Sequence, residues 1–421
     1  MSKIKYIDLF AGCGGLSEGL LKTNKFSEVA AVEWLKPQVD TLRNRLQTKW
    51  NYPDANERVL HFDIQREEEL FHGWDDKEYG SSNGLDSIVN KEKGIDIIVG
   101  GPPCQAYSIA GRVRDESGMK DDYRNYLFEH YLSVVKRYSP KAFIFENVPG
   151  MLSAKPGDEY VTDLVRKGFN SIGYEIVSDL KKYALINSKD FGVPQSRKRV
   201  IILGIKKENK NQKELDTLLK NFYTTILPKY KSVKERSVYD AIGDLPQFKP
   251  TFDENLRKKK VAYIPASDEK EINLTWHTPR YHSIRDIQIF KMLAKDLEDG
   301  TNLYTDSKSI SKIYEEKVGS KSPIHRYHVL RPDKPSTTII AHLYKDGNRF
   351  IHYDSKQART LTPREAARIQ SFDDDFSFIG GQGATYQMIG NAVPPVLAEK
   401  IGYAVNDLTP KIGRASCRER V

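Results

Sequence analysis

The sequence predicts an α/β fold: a doubly wound, mostly parallel sheet with a smaller second domain. Two observations lead there. Short apolar runs recur through the first 205 residues, each with the length of a strand buried on both faces. Several of these runs end in Gly- or Pro-rich turns, and the first turn leads into a helical pattern. Open sheets of this kind place their ligands beyond the carboxyl ends of the strands. Those turns are therefore where chemistry is expected.

The first unit is Lys5-Tyr6-Ile7-Asp8-Leu9-Phe10 as a strand, Ala11-Gly12-Cys13-Gly14-Gly15 as a tight turn, and Leu16 to Leu21 as the opening of a helix. That is the strand, glycine turn and helix of a nucleotide-binding unit. Ser17 stands where a dinucleotide fingerprint has its third glycine. Glu18 falls in the first helical turn, where its charge is expected to compete with a phosphate for the dipole. A pyrophosphate is thus disfavoured. Glu33 follows Gly14 by nineteen residues, at the end of Val29-Ala30-Ala31-Val32, and is placed to hold ribose hydroxyls. Asp63 ends the run Val59-Leu60-His61-Phe62, where it can accept from an adenine amine. Trp34 reads either as a half-buried aromatic or as a ring stacked on adenine. Ribose, adenine and no phosphate fit S-adenosylmethionine.

The run Ile95-Asp96-Ile97-Ile98-Val99 leads into Gly100-Gly101-Pro102-Pro103-Cys104-Gln105. Two prolines of fixed φ hold the next side chain in one place, which suits a nucleophile. A free cysteine is commonly a small core hydrophobe, but the flanking Gly and Pro favour a loop here. A thiol with pKa of about 8.5 is mostly protonated at neutral pH, so Cys104 needs cations, a helix N-terminus or a proton acceptor nearby. Lys141-Ala142-Phe143-Ile144-Phe145 is the next strand, ending in Glu146-Asn147-Val148-Pro149-Gly150. Glu146 shares the sheet edge with Cys104 if the two strands are parallel; otherwise it is a solvated loop acid. Phe191-Gly192-Val193-Pro194-Gln195-Ser196-Arg197-Lys198-Arg199 leads a basic turn into the strand Val200-Ile201-Ile202-Leu203. Arg197 and Arg199 are two apart, so an extended chain points them the same way.

These segments resemble the C5-cytosine DNA methyltransferases. Asp8 to Gly15, Pro102-Pro103-Cys104-Gln105, Glu146-Asn147-Val148 and Gln195-Ser196-Arg197-Lys198-Arg199 look like four of that family's motifs. Arg359-Thr360-Leu361-Thr362-Pro363-Arg364-Glu365-Ala366-Ala367-Arg368 and Gly390-Asn391-Ala392-Val393-Pro394-Pro395 look like its last two. The six stand in the family's usual order and cover residues 4–205 and 336–405. The resemblance implies a fold of S-adenosylmethionine-dependent methyltransferase type and a target recognition domain around a DNA cleft. By that analogy Cys104 adds to cytosine C6, which converts the ring into an enamine able to attack a methyl sulfonium. Glu146 would bond N3 and the exocyclic amine. Arg199 would hold O2, with Arg197 raising the thiolate fraction. Beta-elimination of the C5 proton then frees Cys104, and the sequence does not name the base. Cofactor contacts carried over are Phe10, Gly12, Gly14, Leu16, Glu33, Trp34, Asp63, Ile64, Leu127, Asn391 and Val393. The target base must leave the duplex to reach Cys104.

Length and charge agree. A chain of 421 residues, 39% hydrophobic, is ample for two domains. No apolar run reaches the roughly 18 residues of a membrane span, and the N-terminus lacks a signal-peptide pattern. Three scattered cysteines exclude a disulfide frame and a zinc site, so a reducing cytoplasm and no metal are expected. The net charge is +9, and residues 206–335 hold 26 Lys/Arg against 19 Asp/Glu, the excess DNA phosphates would need. Arg257-Lys258-Lys259-Lys260 is the densest run, with a solvated loop as the bland reading. Ser283-Ile284-Arg285-Asp286 and Thr362-Pro363-Arg364-Glu365 are capping-box patterns. The first opens a helix whose apolar face is Ile287, Phe290, Met292, Leu293 and Leu297, a core stripe. In the second, Arg364 is expected to bridge segments. His277 and His282 receive no metal or base role.

The organisation expected is a catalytic and cofactor-binding domain over 1–205, a target recognition domain over 206–335, and a return segment over 336–411 completing both. Residues 412–421 lack any apolar period and read as a non-native tail. The partner expected is double-stranded DNA, with a cognate restriction endonuclease acting at the same site, no membrane, and a monomeric chain. Two other readings stand beside this one. An RNA cytosine-5 methyltransferase of the same fold is not separated by net charge. A catalytically silent DNA-binding paralogue is opposed by the intact Cys104, Glu146 and Arg199.

Overall fold

A computed structural model describes residues 2–103, 127–155, 158–208, 210–251, 260–266, 274–304, 306–319, 327–345 and 347–413. The chain forms two compact units: Met1–Gly192 with Arg197–Val233 and Ala392–Val421, and Val193–Ser196 with Lys234–Asn391.

The first unit is built on an eight-stranded sheet among the described residues. Its strands are β1 (Ile4–Leu9), β2 (Phe26–Glu33), β3 (Val59–His61), β4 (Ile97–Gly100), β5 (Ala142–Asn147), β6 (Tyr174–Ile176), β7 (Leu185–Asn187) and β8 (Lys198–Lys206). The order is β3-β2-β1-β4-β5-β8-β6, with β7 also paired to β8. The first five are mutually parallel, while β8 runs antiparallel to β5, β6 and β7. Strand order reverses between β1 and β4. That switch point opens a crevice at the carboxyl edge. Leu9 pairs with Val32 on one side and Gly100 on the other, and Gly100 pairs with Phe145. The glycine turn, Glu33, the Gly101-Pro102-Pro103 segment and Glu146 therefore share one edge of the sheet.

The apolar runs bury as expected, and aromatic rings fill one part of the core. Tyr131 of α3 (Leu127–Tyr138) and Phe169 of α4 (Val161–Ser171) pack against Phe143 and Phe145 of β5, with Phe143 and Phe169 stacked at 3.9 Å. Gly204 of β8 leaves the room this needs, because a Cβ there would lie 2.0 Å from the Phe143 ring. Near the switch point, α1 (Gly15–Lys22) lies against the C-terminal helix Pro395–Ile412. A Cβ at Gly15 would meet the Val393 carbonyl at 2.4 Å, and one at Gly19 the Pro395 carbonyl at 2.3 Å. Ile412 is a buried part of that helix, which thus takes in the first residue of the segment set aside as a tail. Residues 414–421, with Cys417, lie outside the described residues.

The second unit carries a three-stranded antiparallel sheet of β9 (Phe248–Thr251), β10 (Lys260–Pro265) and β11 (His282–Ser283). Helix α5 (Ile284–Glu298) follows, capped by the Ser283 hydroxyl, which accepts from Asp286 N at 3.1 Å. Ile287, Phe290 and Leu293 enter the core as the stripe predicts, joined by Ile289. Thr362 and Glu365 form the expected capping box on α6 (Pro363–Ile369). Arg364 bridges segments, donating to Thr275 O, Thr275 Oγ1, Asp373 O and Phe376 O. His277 sits between Thr362 Oγ1 and Pro246 O, a structural placement. Helix α7 (Gln382–Asn391) ends the unit. No helix among the described residues is long and apolar enough to cross a membrane.

Candidate active site

The turn after β1 uses left-handed backbone at Phe10 (φ 57°), Gly12 (φ 58°) and Gly14 (φ 86°). A non-glycine residue there costs about 1–2 kcal/mol, so the surroundings must hold Phe10 in place. Much of that hold comes from Glu33. Its Oε2 accepts from Gly12 N at 2.9 Å, and its Oε1 from Trp34 N at 3.0 Å and Leu35 N at 2.9 Å. Burial lifts the Glu33 carboxyl above the ordinary range, against the pull of those three donors. Ser17 ties the opening of α1 back to β1 by donating to Asp8 Oδ2 at 2.8 Å. That bond gives the serine in the third-glycine position its work.

Glu18 departs from expectation. Its carboxylate is buried, bidentate to Arg45 at 2.7 and 2.9 Å, and accepts from Trp50 Nε1 at 2.9 Å. The charge is matched inside the protein and does not act as the phosphate-excluding group. Glu33 instead occupies the Gly12 N–H that a phosphate-binding glycine turn would offer.

The other cofactor candidates differ in exposure. Leu16, Ile64, Leu127 and Val393 are buried. Asp63 is half-buried and accepts from Gln65 N. Trp34 is 49% exposed, so its ring is not spent on the core. Val393 borders the start of α1, and Asn391 closes α7, exposed, two residues before it. The open space above Gly12, where a Cβ would meet nothing within 4 Å, leaves room for a bound group. A carboxylate with acceptor capacity to spare, an exposed indole and an apolar surround fit a ribose and an adenine.

At the other side of the switch point β4 ends in Gly100 and Gly101. A Cβ at Gly101 would lie 2.7 Å from Glu146 Oε2, so glycine lets the carboxylate close over this strand end. Arg199 Nε meets Glu146 Oε1 at 2.9 Å, both side chains nearly buried. Arg197 is buried beside them, its proton affinity lowered by burial and by Arg199 and supported by Glu146. Asn147 Nδ2 donates to Pro102 O, fixing the proline segment on β5. Glu146, Arg197 and Arg199 thus come together where sequence spacing places them. Cys104 follows Pro103 directly and lies outside the described residues, as does Arg257-Lys258-Lys259. Gln195 folds with the second unit, where it accepts from Ile339 N at 2.9 Å and donates to Ile369 O.

Sequence reasoning missed Arg45 and Trp50, which neutralise Glu18, and the buried pair of Tyr6 and Glu28 beneath β1, bonded at 2.7 Å. Burial pushes the Glu28 and Asp8 carboxyls up. The Cys13 thiol is pushed up as well and is inert as a nucleophile.

The profile of C-5 cytosine-specific DNA methylases matches residues 4–407. The chain is 34% identical to the type II methyltransferase M.Bpa9945I of Bacillus paralicheniformis, over 96% of this chain and 98% of that protein. It is 32% identical to the type II methyltransferase M.DdeI of Desulfomicrobium norvegicum, over 95% and 88%. Among solved structures, a prophage-encoded DNA modification methyltransferase from E. coli superposes with a TM-score of 0.58 at 23% identity, covering 96% of this chain and 99% of that one. The S. pombe Dnmt2 methyltransferase gives 0.54 at 15% identity, over 98% and 100%.

Proposed function

Because the chain belongs to the C-5 cytosine-specific DNA methylase family, we propose that it methylates C5 of cytosine within one short double-stranded DNA sequence. Its relatives named as type II methyltransferases support a protective role beside a cognate restriction endonuclease of the same specificity, in the cytoplasm. The observation that carries the reading is the Glu146–Arg199 pair, seated over the glycine that precedes Pro102-Pro103-Cys104.

Glu33 holds the ribose of S-adenosylmethionine, Trp34 and Asp63 its adenine, and Phe10, Gly12, Gly14, Leu16, Ile64, Leu127, Asn391 and Val393 complete the surround. Once bound, that cofactor supplies an electrophilic methyl sulfonium. Cys104, held by two prolines, adds its thiolate to C6 of a base turned out of the duplex. Negative charge then grows on N3 and O2. Glu146, taking up a proton as the base enters, donates it to N3 and accepts from the exocyclic amine, and Arg199 donates to O2. Arg199 also fixes the Glu146 carboxylate in advance, so little reorganisation is needed when that charge appears. Arg197 adds positive potential that favours the thiolate. C5 of the adduct would take the methyl group with S-adenosylhomocysteine as the leaving group, and loss of the C5 proton to water would re-form the C5=C6 bond and expel Cys104 as thiolate.

Residues 206–335 carry sequence recognition in this reading, since every family motif lies outside them, while their excess of positive charge supplies the phosphate contacts that position the duplex. The protein acts as a monomer. Bisulfite sequencing of DNA from a methylation-free bacterial host expressing the chain tests the reaction. Conversion-resistant cytosines at a single short sequence are expected; unmodified DNA alongside methylated RNA would replace the DNA substrate with RNA.

A further inference from the structure

Trp34 is the one aromatic of the cofactor surround that stands in the open, and an exposed ring binds well only if its backbone is fixed. The Trp34 N–H is fixed by Glu33 Oε1. Its carbonyl is held from the other side by His61, the last residue of β3, whose Nε2 donates to Trp34 O at 3.0 Å. A carbonyl can only accept, so the imidazole carries its proton on Nε2. Burial, with Lys36 and Arg43 nearby, lowers the His61 pKa and favours the neutral ring.

His61 is itself braced. Its ring meets the Tyr79 ring edge-on at 5.0 Å. Tyr79 belongs to a hairpin, Trp74–Asp76 with Gly80–Ser82, whose turn is tied by Asp76 Oδ1 accepting from Tyr79 N at 2.7 Å and Glu78 N at 3.0 Å. Trp74 stacks on Phe62 at 3.9 Å, next to His61 in the chain. Arg66 lies over both the Phe62 and Tyr79 rings and bonds Asp76 at 2.8 Å. A continuous path therefore runs from the hairpin through Tyr79 and His61 to the Trp34 carbonyl.

We propose that His61, braced by Tyr79 of the Trp74–Ser82 hairpin, is a positioning residue that fixes Trp34 for the adenine of the cofactor. The inference rests on the cofactor reading given above. It is tested in the ligand-free protein first. The chain has four tryptophans, and the difference between wild type and Trp34→Phe isolates the Trp34 emission. In His61→Ala, acrylamide should quench that emission more strongly, and calorimetry should show S-adenosylmethionine bound about fivefold more weakly, the worth of one ordinary hydrogen bond. His61→Gln, which can donate to the same carbonyl, should restore both. Tyr79→Leu leaves the His61–Trp34 bond its partners but removes the ring that braces His61, and should move both readouts the same way, which keeps the test open if His61→Ala loses its fold. Unchanged quenching and unchanged affinity in His61→Ala and Tyr79→Leu would overturn the proposal. Failure of the wild type to bind S-adenosylmethionine would overturn the cofactor reading instead, and the ligand-free quenching would still decide the role of His61.

Discussion

Glu33 and Glu146 are both carboxylates at strand ends, yet their surroundings assign them different work. Glu33 accepts three backbone N–H groups and so shapes the glycine turn, and in the proposed reading it holds the ribose. Glu146 faces Arg199 and the glycine before the nucleophile segment. Glu33→Ala should weaken S-adenosylmethionine binding at least about tenfold, since hydrogen bonds to a charged group are lost, and should lower the melting temperature too. Glu146→Gln keeps the shape and should leave that affinity intact while turnover falls about 100-fold or more. Calorimetry and single-turnover rates giving the reverse pattern would mean the two sites are exchanged. The strand-end placement of both residues was legible in the sequence because each ends an apolar run of strand length. Glu18 was misread for an equally physical reason. Its partners Arg45 and Trp50 lie 27 and 32 residues away, and helix periodicity alone does not reveal which charge will be paired.

Helix α6 shows how an element can carry a pH dependence. Its capping box uses Glu365, which also takes a bidentate bond from buried Arg359. Burial raises the Glu365 carboxyl, but the Arg359 charge and hydrogen bonds outweigh it and bring the pKa to about 2. His352 beside it accepts Asp354 N–H on Nδ1 at 3.1 Å, and burial together with Arg359 pushes its pKa down to about 4. Both folded values lie below the unfolded ones. The stability linked to His352 is complete above about pH 6.5 and is lost as pH falls toward 4; that linked to Glu365 is complete above about 4.5 and is lost toward 2. The His352 contribution amounts to a few kcal/mol. Urea unfolding between pH 7 and 4 should therefore lose stability less steeply in His352→Gln than in wild type. Equal slopes would contradict the assignment. The capping box itself was plain from Thr362-Pro363-Arg364-Glu365, whereas the Arg359–Glu365–His352 cluster was not, because it depends on how the segment folds back on itself. The Trp74–Ser82 hairpin was missed too, having strands of only three residues and no alternating apolar pattern.

At the scale of the whole molecule, the doubly wound, mostly parallel sheet followed from the alternation of apolar runs and turns, whereas the strand order, with β8 antiparallel between β5 and β6, did not. The division into units follows less simply. Residues 193–196 leave the first unit between Gly192 and Arg197, and Gln195 is the reason, with hydrogen bonds reaching across more than 140 residues of chain to Ile339 and Ile369. No local pattern carries such a contact. The same four residues lead straight into Arg197 and Arg199. These parts matter together only if the residue after Pro103 reacts. Duplexes carrying 5-fluorocytosine at the methylated position, incubated with the full chain and S-adenosylmethionine, test that most directly, because fluorine blocks the elimination that frees the enzyme. A protein–DNA complex surviving denaturing electrophoresis with wild type and absent with Cys104→Ser is the expected result. A complex that persists undiminished in Cys104→Ser would contradict Cys104 as the nucleophile.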